Sequence, residues 1–211
     1  FALPVAATGI LEQLVNASGI MIVGNFSQSD GTAAVAAVGS NAPVTGLILN
    51  LFIGIALGAN VVIANAIGRG SREAVRNAVH TSIVTALIGG VIVAIIEELL
   101  AGPLLGMLNV TADVFPLALA YLRIYLIGMP VILLYNFETA IFRSIGDTQA
   151  PLAVLAISGV LNVTMGLIFV VLFHWGVSGV ATATVIANVV SSMILLYRLV
   201  HTDAAIHVNL R

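Results

Sequence analysis

Two carboxylates stand where the surrounding sequence is oily. Glu12 lies within ALPVAATGILEQLVNASGIMIVGNF (residues 2–26). Glu138 lies within YNFETAIFRSIGDTQAP (135–151), between the apolar stretches LIGMPVILL and PLAVLAISGVL. On insertion scales a charge at mid-membrane costs roughly 2.5–3.5 kcal/mol, so an acid in such a place asks for a partner or a task. Thr8, Glu12, Asn16 and Gly19 recur at helical spacing and share one face, where Gly19 leaves space. Arg143 follows Glu138 by little more than one turn, on a neighbouring face. The pair reads either as a structural ion pair near a membrane surface or as a carboxyl that takes up and releases a proton. Asn136 lies on the same helix as Glu138, Asn162 and Gly166 share a face further on, and Thr184 and Asn188 share another. Asn41 and Thr45 belong to a longer polar series with Ser40, Asn50, Asn60 and Asn65. Any one of these side chains alone reads as an interhelical hydrogen bond, worth under about 1 kcal/mol. Polar faces on five separate apolar segments imply a hydrated or polar interior, which helix adhesion alone does not require.

The elements that position these groups follow from composition. Of 211 residues, 60% are hydrophobic and 8% charged, against about 25% charged in ordinary soluble domains. Mean hydropathy is +1.16. A water-soluble chain with so little polar surface could not cover its core, so lipid is the expected solvent. A spanning helix needs about 20 apolar residues. Six candidates emerge, near 2–26, 32–67, 73–100, 113–143, 149–173 and 177–201, separated by SQSDG, GRGS, AGPLLGMLN, GDTQAP and HWGVSG. The second is over-long. Its roughly 35 residues reach about 50 Å against a hydrocarbon core of about 30 Å, so it must tilt, protrude or bend, with Pro43 the expected bend point.

Orientation is read from the arginines. Arg69, Arg72 and Arg76, then Arg143, then Arg198 and Arg211 fall on one side of six spans; Asp30, Glu97, Glu98 and Asp113 fall on the other. The arginine side is expected to be cytoplasmic, with both termini of the segment there. Arg123 is the exception, inside the fourth span, where it either snorkels or pairs within the bundle. Gly54 with Gly58, and Gly176 with Gly179, read as points of close helix packing. His174 and Trp175 read as interfacial rings at the outer surface.

Other chemistries find no support. There is no cysteine, hence no disulfide or thiolate metal site. The four histidines lack ligand spacing, and no glycine-rich phosphate loop follows a strand. A net charge of −2 makes no case for nucleic acid. The expected protein is not an enzyme and needs no cofactor. Any movement it performs must draw on an ion gradient. Phe1 already sits in an apolar run without a preceding Met, which suggests a piece of a longer chain.

The segments VGNF (23–26), TAAVAAVGSNAPVTGLILNLFIGIALGANVVIANAIGRG (32–70), AVHTS (78–82), YLRIYLIGMP (121–130), FRSIGDTQAPL (142–152) and GVSGVATATVIANVVSS (176–192) resemble the multidrug and toxic compound extrusion (MATE) family over nearly the whole chain. GANVVIA and FRSIGDT are the more specific of these cues. The resemblance implies an all-α, polytopic membrane protein: a six-helix bundle forming the amino-terminal lobe of a twelve-helix transporter. Residues 1–202 would form the lobe and 203–211 the start of a cytoplasmic linker to a carboxy-terminal lobe. It also implies a cation site in this lobe. Asn136, Asn162 and Thr184 match its polar positions, while its two carboxylate positions fall on Gly19 and Gly166. Coupling has then either moved to Glu12 and Glu138, with Asn16 beside them, or been lost.

The expected function is half of an H⁺- or Na⁺-coupled antiporter. It would export small organic, often cationic compounds by alternating access in a bacterial cytoplasmic membrane. Asn41, Thr45 and Asn188 are the expected substrate-cavity residues. The alternatives are an isolated, non-transporting lobe that dimerises, or a lipid-linked oligosaccharide flippase of the same superfamily. The latter favours a cavity rich in Arg and Lys.

Overall fold

A computed structural model describes residues 2–27, 31–202 and 206. Seven α-helices follow in order: α1 (Ala2–Phe26), α2 (Gly31–Gly68), α3 (Arg72–Met107), α4 (Phe115–Ile127), α5 (Met129–Ser144), α6 (Gln149–Leu167) and α7 (Gly176–His201). Five segments are long and apolar enough to cross a membrane, and α4 with α5 makes a sixth if the bent pair is one span. All described regular structure is helical. The bundle is the expected all-α polytopic architecture.

Three boundaries differ from expectation, each for a local reason. The fourth span is broken, with α4 and α5 meeting at Gly128 and bending by 54°. Pro130, in the first turn of α5, has no N–H to give and its ring crowds the carbonyl four residues back. α3 runs on through Pro103 to Met107, so AGPLLGM is helix rather than turn, and the chain turns after it, where Asn109 takes φ 52°. α6 ends in a single π-helical turn, Ile168–Leu172, before His174 and Gly176 reverse the chain at φ 56° and 53°. α2 stays helical through Pro43.

The FRSIGDT segment is a helix-to-helix corner. Gly146 takes φ 79°, a left-handed conformation that costs glycine little. Asp147 Oδ1 then accepts the amide N–H groups of Gln149 and Ala150 at 3.1 and 2.9 Å, satisfying donors that the first turn of α6 leaves free. Ser71 does the same for α3, accepting from the Ala74 amide at 3.3 Å.

Two apolar clusters hold the bundle. One joins Ile22, Phe52, Leu122, Met129, Leu133 and Val180. The other gathers Ile63 of α2, Val79 of α3, Ile141 of α5, Val154 of α6 and Leu195 of α7. This second cluster brings the arginine-bearing ends of α2, α3, α5 and α7 to one end of the molecule. Ile206 is buried in it, while Asp30, Arg211 and the rest of the expected linker lie outside the described residues. Along the outside of α3, Val84, Ile88, Val91, Ile95 and Leu99 form an exposed apolar stripe, suited to acyl chains.

Glycine packing is uneven. A Cβ on Gly179 would come within 2.9 Å of Phe169 Cβ, so α7 there packs tightly on the end of α6. Gly54 and Gly58 have nothing within 4 Å of such a Cβ. The expected close packing at 54 and 58 is therefore not made among the described residues, because that face of α2 is exposed.

Candidate functional site

The polar faces meet. Between α1, α5, α6 and α7 lies a hollow of about 170 Å³. Glu12 and Asn16 line it from α1, Tyr135 and Asn136 from α5, Ser158 and Asn162 from α6, and Thr184, Asn188 and Ser191 from α7. It opens into a larger space of about 410 Å³ toward α2 and α4. Gln13, Asn16 and Gly19 border that space from α1, Asn41 and Thr45 from α2, and Tyr121 and Tyr125 from α4. Asn162 and Thr184 line both.

Hydrogen bonds fix several of these groups. Asn162 donates from Nδ2 to the Thr184 hydroxyl at 3.4 Å, joining α6 to α7. Thr184 in turn donates to the Val180 carbonyl at 3.0 Å, and Asn188 Nδ2 donates to the Thr184 carbonyl at 2.8 Å. Asn136 Nδ2 donates to the Ile132 carbonyl at 2.8 Å. With their donors so engaged, the amide oxygens of Asn136, Asn162 and Asn188 are available to a ligand. Asn41 donates to the carbonyls of Ala37 and Ala118 at 2.8 and 3.0 Å, tying α2 to α4, and leaves Oδ1 buried without a partner. Asn60 bridges α2 to the Ala140 carbonyl of α5 at 2.8 Å, a purely structural bond. One carboxylate with amide and hydroxyl oxygens is a set of hard donors. It suits a proton or a small hard cation better than a soft metal.

Two expected residues stand apart from the hollow. Glu138 is 0% exposed and neither carboxylate oxygen has a hydrogen-bond partner. The Ser192 hydroxyl of α7 faces it without completing a bond. Arg143 is not its counter-charge: Arg143 acts on Glu12, and the two line a common hollow of about 230 Å³ below the first. A five-residue separation turns Glu138 and Arg143 to different faces of α5, so the short distance in sequence misleads. Gly166 is packed, since a Cβ there would stand 3.4 Å from Ile22 Cδ1 and 4.0 Å from Ala183 Cβ. Arg123 pairs with Glu98 of α3 at 3.0 Å, on a partly exposed flank. Trp175 stacks on Phe169, with ring centroids 5.1 Å apart, at the exposed outer turn.

The sequence reading passed over Tyr125, Tyr135, Ser158 and Ser191. Two of these extend stripes already noted. Ser158 precedes Asn162 by four residues and Ser191 follows Asn188 by three, so the helical spacing carried one step further would have found them.

This arrangement of crossing apolar helices around a shared polar hollow defines a polytopic helical membrane protein. Comparison with known proteins makes the class specific. The MatE family model matches residues 4–168, and the chain belongs to that family. A probable multidrug resistance protein of Bacillus subtilis, YoeA, is 29% identical over 93% of this chain and 42% of its own length. A probable multidrug resistance protein of Thermotoga maritima, NorM, is 29% identical over the same shares. The crystal structure of a MATE protein in the bent conformation superposes with a TM-score of 0.90 at 28% identity, covering 99% of this chain and 46% of that one. The chain thus spans less than half the length of these relatives.

Proposed function

We propose that this chain is the amino-terminal lobe of an ion-coupled antiporter. On this reading it exports small organic, often cationic compounds across a bacterial cytoplasmic membrane by alternating access against a second six-helix lobe. The arginine-bearing end faces the cytoplasm. The observation that carries the reading is the convergence of Glu12, Asn16, Asn136, Asn162, Thr184 and Asn188 on one open hollow of an otherwise apolar bundle. Polar groups bear the cost of a membrane interior where they line a pathway or hold an ion. Family membership and the multidrug-resistance names of the relatives support the substrate class. The coupling ion, H⁺ or Na⁺, binds at Glu12 with the neighbouring amide and hydroxyl oxygens. The wider space bordered by Asn41, Thr45 and the two tyrosines receives the substrate. An anionic, sugar-phosphate cargo is less favoured, since the chain has no lysine, Arg123 is engaged on the flank, and among the described arginines Arg143 alone lines these hollows.

The test is efflux of a fluorescent organic cation from proteoliposomes holding the full-length protein, with a proton gradient and a sodium gradient imposed separately. Acceleration by one gradient, lost in the E12Q variant, is the expected result. Equal leakage under both gradients and under neither would overturn the reading.

A further inference from the structure

The lower hollow holds an unusual set of groups. Glu12 enters it from α1, and Tyr135, Thr139 and Arg143 enter from α5. Glu12, Tyr135 and Asn136 also line the upper hollow, so the two spaces communicate through them. The Tyr135 and Thr139 hydroxyls are more than nine-tenths buried and face each other without completing a hydrogen bond. Buried hydroxyls are almost always satisfied, by water when nothing else is near, so they point to an occupant in this space. Arg143 is the guanidinium that acts on Glu12, yet no nitrogen–oxygen approach within 4.0 Å joins them. The other titratable groups facing Glu12 are Tyr135 and, across the upper hollow, Tyr125. α2 contributes only Ile53, Ala56 and Leu57 to the lower hollow.

We infer that Arg143 is a tethered counter-ion that competes with the transported cation for Glu12. A carboxylate facing an apolar bundle cannot be left bare without a large cost. When the coupling cation occupies Glu12, the guanidinium stays toward the cytoplasmic end of α5, on the far side of the hollow that the two residues line. When the cation leaves, Arg143 crosses the hydrated gap and neutralises the carboxylate. Tyr135 and Thr139 hold the water through which both movements pass. The lobe then never presents an uncompensated charge while it turns, and cation release is favoured because a replacement is already attached. A long, flexible arginine at the end of a helix suits this role, since its reach spans several ångströms without backbone movement.

The inference rests on the antiport reading for its meaning, but its test measures binding and stability rather than transport. Purified full-length protein is titrated with NaCl by calorimetry. In a second arm it is titrated with acid in sodium-free choline buffer, with proton uptake read potentiometrically. R143Q should tighten cation binding about tenfold in whichever arm the wild type binds, because a competitor has been removed, and R143K should leave it within about twofold. A double-mutant cycle in the unfolding midpoint, in sodium-free buffer, checks the pair independently. R143Q should lower the midpoint, and E12Q added to it should restore it. Additive effects in the cycle, or weaker binding in R143Q, would overturn the inference. Absence of binding in both arms, with the cycle still coupled, would instead overturn the antiport reading and keep the pair.

Discussion

Asn162 of α6 donates its side-chain amide to the hydroxyl of Thr184 on α7, 3.4 Å away, across the back of the upper hollow. The bond presents the Asn162 carbonyl oxygen to the space while occupying its N–H. N162A should therefore hurt ligand binding more than folding. As an interhelical bond it should cost less than about 1 kcal/mol of stability. As a lost ligand to a cation it should cost roughly tenfold or more in affinity. Calorimetric titration of Na⁺ or protons beside a thermal melt separates the two. A melt that collapses while affinity holds would make the pair structural.

Glu12 of α1 and Glu138 of α5 stand in different surroundings, and on the antiport reading they take different roles. Glu12 lines both hollows; Glu138 lines neither and sits enclosed by the lower apolar cluster. E12Q should abolish gradient-driven efflux, whereas E138Q should retain most of it. E138M should raise the unfolding free energy by about 1 kcal/mol, since an unsatisfied buried polar group is replaced by an apolar one. Efflux lost in E138Q and kept in E12Q would move coupling to Glu138.

Spans and polar stripes were legible because period and hydropathy are properties of the segment itself. α1, α2 and α7 begin and end within a residue or two of expectation for that reason. Partners were not legible, because they depend on how helices turn against one another. Arg143 lies nearer to Glu138 in sequence but answers Glu12 on another helix. Arg123 could have snorkelled, and instead meets Glu98. The break at Gly128 was within reach, since Pro130 was visible inside the fourth span, but apolar composition on both sides concealed it. Gly54 and Gly58 carried a packing pattern that the described residues do not use.

Gly90 is where α3 tolerates the bend of its neighbour. A Cβ there would collide with Pro130 Cα, a backbone atom that cannot step aside. G90A should thus destabilise the bundle by about 1–3 kcal/mol, as overpacking does, or prevent folding. G58A is the control: with nothing within 4 Å, it should be neutral or slightly stabilising in a helix. Detergent unfolding midpoints of both variants decide. Equal midpoints would mean that α3 and α5 are not in contact at the bend.

Gly19 borders the wider space, but a Cβ there would meet Val180 Cγ1 at 3.0 Å. An acid at this position therefore confronts two opposed effects. Its carboxylate adds charge to the wider space, next to the hollow that Glu12 lines, which should tighten cation binding by about tenfold. Its Cβ crowds α7, which should cost about 1 kcal/mol of stability. Trimming Val180 relieves the second effect without touching the first. G19D alone should bind a cation more tightly and melt lower, and G19D with V180A should keep the tighter binding while regaining part of the melting temperature. If binding improves only in the double variant, the space rather than the charge limits the site. If it improves in neither, position 19 does not face the bound ion, and the acid that serves the hollow is Glu12 alone.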